Sequence, residues 1–243
     1  MQRVVNLYRS SVGKKILMAL SGLILFGFIV GHMTGNLKVL QGCEPAQPGD
    51  VAAGLSVPGQ TCAMDTYAEF LRDFGYPALP HGAFLWGFRV LLLGAVAVHI
   101  VAAFQLWRKS RAARRESYGT MSDISFTYAS RTMRWGGVII LLYVGYHLLH
   151  FTGGQAHTDF IKGGVHHNYV VAFQSLLVLV VYFIANAALC LHLFHGLWSA
   201  TQTLGANHPK YNHLRRPIAT AVSLAIFIGF MTPPVLVYAG VVN

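Results

Sequence analysis

Charge is what this chain has least of. Only 11% of its 243 residues are charged, against roughly 25% in soluble domains. A deficit that large excludes a water-facing globule. Acidic residues are the scarcer sign, with 8 Asp and Glu against 18 Lys and Arg. None of the eight lies inside a long apolar run. That absence argues against a metal permease or a proton pump, which place carboxylates along their paths. Cysteine is sparse too, at three residues. Without a C-x-x-C-H motif there is no covalent c-type haem attachment, and without a cysteine cluster there is no iron–sulfur centre. The chain also lacks internal repeats and low-complexity tracts. One domain, 1–243, is expected.

What is present is apolar length. Hydrophobic residues make up 54% of the chain, and a spanning helix needs about 20 of them in sequence. Five stretches qualify: 16–37, 84–107, 136–152, 170–198 and 217–240. The expected fold is all-α, an integral membrane bundle of five transmembrane helices. The first run is too long for the core of a cleaved signal peptide, and no small-residue cleavage site follows it. The fifth span carries Pro233 and Pro234 and no histidine. A kink is expected there, in a helix that packs or faces lipid.

The net charge of +10 invites a nucleic-acid reading, but its distribution points elsewhere. With alternate loops on opposite sides, 14 of the 18 basic residues fall on one side. They lie before the first span, between the second and third, and between the fourth and fifth. This is the positive-inside pattern, which places the N-terminus in the cytoplasm and the C-terminus outside. No nucleic-acid partner is expected, and an acidic lipid surface is a second use for the charge. Trp86, Trp107, Trp135 and Trp198 all sit near span ends, where an interfacial belt belongs.

The outer loop 38–83 is the largest extramembrane piece. It opens with Pro- and Gly-rich coil and continues into the helical run DTYAEFLRDFG. Cys43 and Cys62 share it. The outer side permits a disulfide, and two free thiols fit the spacing as well. Cys190 lies within the fourth span.

Histidine occurs in four of the five spans: His32, His99, His147 with His150, and His192 with His195. One intramembrane histidine is most simply a hydrogen-bond partner for a neighbouring helix. Depth changes that reading. The first and third spans run outward, with His32 and His147 near their outer ends. The second and fourth run inward, with His99 and His192 near their inner ends. Two pairs at two levels result, separated by roughly 15 Å at 1.5 Å rise per residue. Two bis-histidine haems stacked across a bilayer need that arrangement, and helix bundles build cofactor sites from facing helices. Small residues flank these histidines: Gly27, Gly31 and Gly35; Ala95, Ala102 and Ala103; Gly145; Ala188 and Gly196. They leave room for a flat group. Close helix packing is their alternative use, but it does not account for matched histidine depths.

These strings resemble a known family. They are GHMTGNL at 31–37, YAEFLRDFGYP at 67–77, LWGFRVLLLGAVAVHIVAAFQL at 85–106, SRTMRWGG at 130–137, YHLLHFTGG at 146–154 and HLFHGLWS at 192–199. The last is the most specific, matching an H-x-x-x-G-L-W element. The resemblance is to the dihaem cytochrome b membrane subunit of succinate:quinone oxidoreductases, the succinate dehydrogenases and fumarate reductases. It covers almost the whole chain, and the family has the same five-helix layout.

The resemblance implies two b haems. His32 and His147 would ligate the distal one, His99 and His192 the proximal one. It implies haem propionate contacts or supporting hydrogen bonds for His150, His195 and Arg89. A hydrogen bond to a neighbouring helix is the other use for the two histidines. It further implies a flavoprotein subunit and an iron–sulfur subunit docked on the cytoplasmic face, a bacterial cytoplasmic membrane, and a quinone substrate, menaquinone in the dihaem branch. The chain itself would carry no catalytic residue for succinate. Asp65, Glu69, His81 and Arg89 are quinone-site candidates near the distal haem, with Ser130 and Arg131 the alternatives near the proximal one. A solvated outer loop with an interfacial arginine is the plainer reading of the first four. In one respect the chain departs from the pattern. Some fumarate reductases of the family carry a glutamate two residues before the fourth-span ligand, and Cys190 stands there instead. A proton path through that glutamate is not supported. The rival readings are a membrane cytochrome b of another quinone-linked dehydrogenase, a haem-free transporter, and an anchor whose histidines only pack.

Overall fold

The computed structural model describes residues 10–113, 128–206 and 208–243, with no side-chain description for 128–132. Ser130 and Arg131 therefore lie outside the described side chains. The described residues form seven α-helices and one short hairpin. In chain order these are α1 (Ser11–Asn36), β1 (Cys43–Pro45), β2 (Gln60–Cys62), α2 (Ala63–Asp73), α3 (Ala83–Ala112), α4 (Tyr128–His147), α5 (Val165–Phe173), α6 (Leu176–Thr203) and α7 (Arg215–Tyr238). Five of the helices, α1, α3, α4, α6 and α7, contain stretches long and apolar enough to cross a membrane.

Their outward faces bear large exposed apolar side chains, including Leu177, Trp135, Leu142, Val90 and Leu93. Patches this extensive on a water-soluble chain would drive aggregation. They are compatible with a surface covered by a bilayer. Within the bundle, α1 packs on α3 and touches α6 and α7, while α6 packs on both α4 and α7. Little backbone contact joins α1 to α4, or α3 to α6.

The best-packed core lies at one end. Val39, Met64, Tyr169, Val170, Phe173, Tyr182 and Val237 form a buried cluster that joins α2, α5 and the ends of α6 and α7. We call this the hairpin end, because β1 and β2 pair there antiparallel, with Cys43 opposite Cys62. Those two cysteines form a disulfide. At the opposite, basic end Lys14 is buried and donates to Gln105 Oε1, tying α1 to α3. Arg216 lies 4.6 Å from the Trp198 ring centre and Arg134 lies 6.0 Å from that of Trp107.

The fourth run departs from the sequence expectation, and the third and fifth show local detail it did not carry. The fourth apolar run is not one helix. It is broken at 174–175, where Ser175 adopts an extended conformation (φ −86°, ψ 120°). Ahead of the break, Asn168 accepts from Ile161 N and donates to Ile161 O, both at 2.8 Å. That double bond pins α5 across the hairpin end, so the chain must turn before entering α6. Hydropathy cannot register such a turn. The third run ends in a π-helical turn, Leu148–Thr152, in which Gly153 N donates to Leu148 O at 2.8 Å. Pro233 and Pro234 are buried inside α7, which remains helical through both.

Candidate functional site

Each facing pair of histidines bridges two helices that barely touch. His32, four residues before the end of α1, faces His147 at the end of α4, with ring centres 5.7 Å apart and planes at 81°. His99 on α3 faces His192 on α6 at 6.1 Å and 60°. A metal ion about 2 Å from one nitrogen of each ring puts the ring centres about 6 Å apart. Both pairs meet that spacing. The levels follow from α1. The His99 ring lies beside Gly22, where an added Cβ would come 3.3 Å from His99 Cε1. His32 is ten residues further along, about 15 Å at the helical rise.

The pair nearer the basic end is steered by backbone. His99 Nδ1 lies 3.1 Å from Met18 O and 3.3 Å from Ser21 Oγ. The Ser21 hydroxyl donates to Leu17 O at 2.7 Å. The proton of His99 is therefore on Nδ1, directed at the Met18 carbonyl, and its Nε2 lone pair is left for another group. A donated ring N–H of this kind orients metal-ligating histidines. His192 Nδ1 is buried without a partner among the described residues, and His195 Nδ1 likewise. The His195 ring packs edge-on to Trp198 at 5.7 Å.

At the hairpin end, side chains do the steering. His32 stacks on Phe28, ring centres 5.2 Å apart, and lies 5.9 Å from Phe230. His147 Nδ1 lies 3.1 Å from the Tyr182 hydroxyl. His150, 2% exposed, reaches the same hydroxyl through Nδ1 at 3.0 Å. The His150 ring is 5.1 Å from that of His157, whose Nε2 lies 2.8 Å from Asn168 O.

The residues present fit a flat iron-bearing group at each pair. The ring spacing suits it, and the helices carrying each pair stand apart. Gly27, Gly31, Gly94, Gly145 and Gly196 face open space, with nothing within 4 Å of an added Cβ. Gly35 has a different job. The Tyr67 ring of α2 lies against it, where a Cβ would come within 2.7 Å. Ala95 and Ala102 are buried along α3, so the small residues of the sequence divide between packing and open space.

Of the four outer quinone-site candidates, none gathers around His32 and His147. Asp65 is fully buried and its Oδ1 accepts from His166 N at 2.9 Å. Glu69 pairs with Arg72. His81 pairs with Asp73 at 2.6 Å. Arg89 stacks over Trp86 at 4.9 Å. Among the described residues no hydrogen bond or ring contact links these four to the pair. The Sγ atoms of Cys43 and Cys62 and a ring nitrogen of His166 lie within 4.8 Å of one another. Both sulfurs are committed to the disulfide, so this group offers no thiolate ligands.

Tyr182, Ser21 and Gly22 were not singled out in the sequence. Tyr182 had a usable signal: it precedes His192 by ten residues on one helix, which places it at the depth of His147. Comparison with family models, curated proteins and solved structures finds no match for the chain.

Proposed function

We propose that the chain is the membrane-anchoring cytochrome b of a succinate:quinone oxidoreductase, passing electrons between an iron–sulfur subunit and a membrane quinone, with menaquinone the expected species. The two facing histidine pairs, each at ligand spacing and about 15 Å apart along the bundle, support the two-haem part of this reading, and the succinate:quinone assignment rests on the resemblance of strings such as HLFHGLWS at 192–199. His99 and His192 would hold the haem nearer the basic end, His32 and His147 the one nearer the hairpin end. Two b haems would supply one-electron couples at two depths of the bilayer. The chain's part is to hold each imidazole in the ligating tautomer, to exclude water and to set potential by burial and hydrogen bonding. The Met18 carbonyl does the first for His99, and the Tyr182 hydroxyl orients the ring of His147.

The basic end would face the cytoplasm, as the positive-inside rule directs. It would receive the iron–sulfur subunit and, through it, the flavoprotein. The hairpin end would face the oxidising side, where its disulfide persists.

Purification of the tagged chain from its native membrane tests the reading. Co-purification of a flavoprotein and an iron–sulfur protein, with succinate-dependent quinone reduction, is the expected result. Recovery with a different dehydrogenase would transfer the chain to that enzyme. A colourless chain without partners would indicate a transporter or a bare anchor.

A further inference from the structure

The Tyr182 hydroxyl is shared between the half-buried imidazole of His147 and the buried one of His150, and that sharing has a direction. A neutral imidazole carries one N–H. If His147 ligates through Nε2, its proton is on Nδ1 and points at the Tyr182 oxygen, 3.1 Å away. The hydroxyl must accept that proton's bond. Its own hydrogen is then directed onward, to His150 Nδ1 at 3.0 Å or to the Tyr143 hydroxyl. In either case the Tyr182 hydroxyl accepts from His147 and donates onward. The Tyr143 hydroxyl is a further hydrogen-bonding neighbour of Tyr182. The π turn after His147 carries His150 to this oxygen, and π turns concentrate at functional positions.

We infer that Tyr182, backed by His150, is a positioning residue that sets the redox potential of the hairpin-end haem alone. The inference rests on the proposed haem function. A hydroxyl that donates onward is a stronger acceptor. It draws the His147 proton outward and gives the ring more imidazolate character, which favours iron(III) over iron(II). The bond to Tyr182 therefore lowers the potential at His147, and its loss raises it. At the other level the equivalent acceptor for His99 is the Met18 backbone carbonyl, which no side-chain substitution removes. The two centres are thus inequivalent, with Tyr182 affecting only one.

Redox titration of the purified complex, with low-spin electron paramagnetic resonance spectra, tests this in Tyr182→Phe and His150→Leu. Phenylalanine keeps the aromatic contacts with Tyr143 and Phe173 and removes only the oxygen. The expected result is an upward shift of one midpoint and one low-spin signal in Tyr182→Phe. A smaller shift of the same midpoint is expected in His150→Leu, and the second haem stays unchanged in both. Two haems with unmoved midpoints in Tyr182→Phe would overturn the inference and leave the haem function standing. Equal shifts of both haems would also overturn it. If Tyr182→Phe loses a haem, His150→Leu decides: a single shifted midpoint supports the inference, and none overturns it. A parent protein without haem would overturn both this inference and the proposed function.

Discussion

The two histidine levels use the same ring pair on different supports. At the basic end, His99 is held by main chain, through the Met18 carbonyl and with Ser21 beside it. Its partner His192 has no bonded neighbour on Nδ1 among the described residues. Near the hairpin end, His147 leans on Tyr182, which His150 also engages, beneath the best-packed core of the chain. A main-chain acceptor fixes geometry without offering adjustment. A side-chain network adds a residue whose change alters one site. The lesson is that equal ligand spacing does not make two sites equal.

The strongest way to break the comparison is to delete one pair at a time. His32→Ala should remove the hairpin-end haem and His192→Ala the other, each leaving roughly half the bound haem, measured as pyridine haemochrome. Parallel loss of both haems in each variant would show one coupled site. Gly22→Val should act almost as strongly on the basic-end pair. An added Cβ already lies 3.3 Å from His99 Cε1, so a branched side chain must displace the ring. Haem loss confined to the basic-end spectrum is expected, whereas Gly31→Ala, which meets nothing within 4 Å, should retain both.

A smaller effect falls on the hairpin end. Opening the disulfide with Cys43→Ser and Cys62→Ser should cost about 2–4 kcal/mol, as for disulfides generally. Faster proteolysis of residues 42–62 should follow, with the basic-end haem unaffected. The smallest effect concerns Asp50. Its carboxyl is held below the usual 3.8 by the Gln47 N–H first and the Thr61 hydroxyl second. A lowered carboxylate stabilises above its unfolded value and loses that contribution as pH falls through the folded one. Proteolysis of this loop should therefore be flat near neutrality and rise only in strong acid, and Asp50→Asn should flatten the acid limb.

Much of the arrangement was legible in the sequence. Apolar length marks all five spans, and alternating helix direction places His32 with His147 and His99 with His192. The remainder depended on tertiary contacts. The turn at 174–175 rests on Asn168 binding Ile161, which no hydropathy window registers. The stripe Gly27, Gly31 and Gly35 reads as one feature, yet Tyr67 covers Gly35 while the other two face open space. Asp65 stood among the quinone candidates as an acidic outer-loop residue. Its full burial against His166 N is a packing fact that composition does not carry. Tyr182 went unmarked because a tyrosine in an apolar run has many uses, and only the two imidazoles beside it select one.

The most direct test of the central claim is a dithionite-reduced minus oxidised spectrum with pyridine-haem quantification on the purified protein and on its His32→Ala and His192→Ala variants. The account predicts about two b haems per chain, in line with the two facing pairs, and loss of a different one in each variant. One haem in the parent would contradict one of the pairs, and none would contradict the electron-transfer function itself.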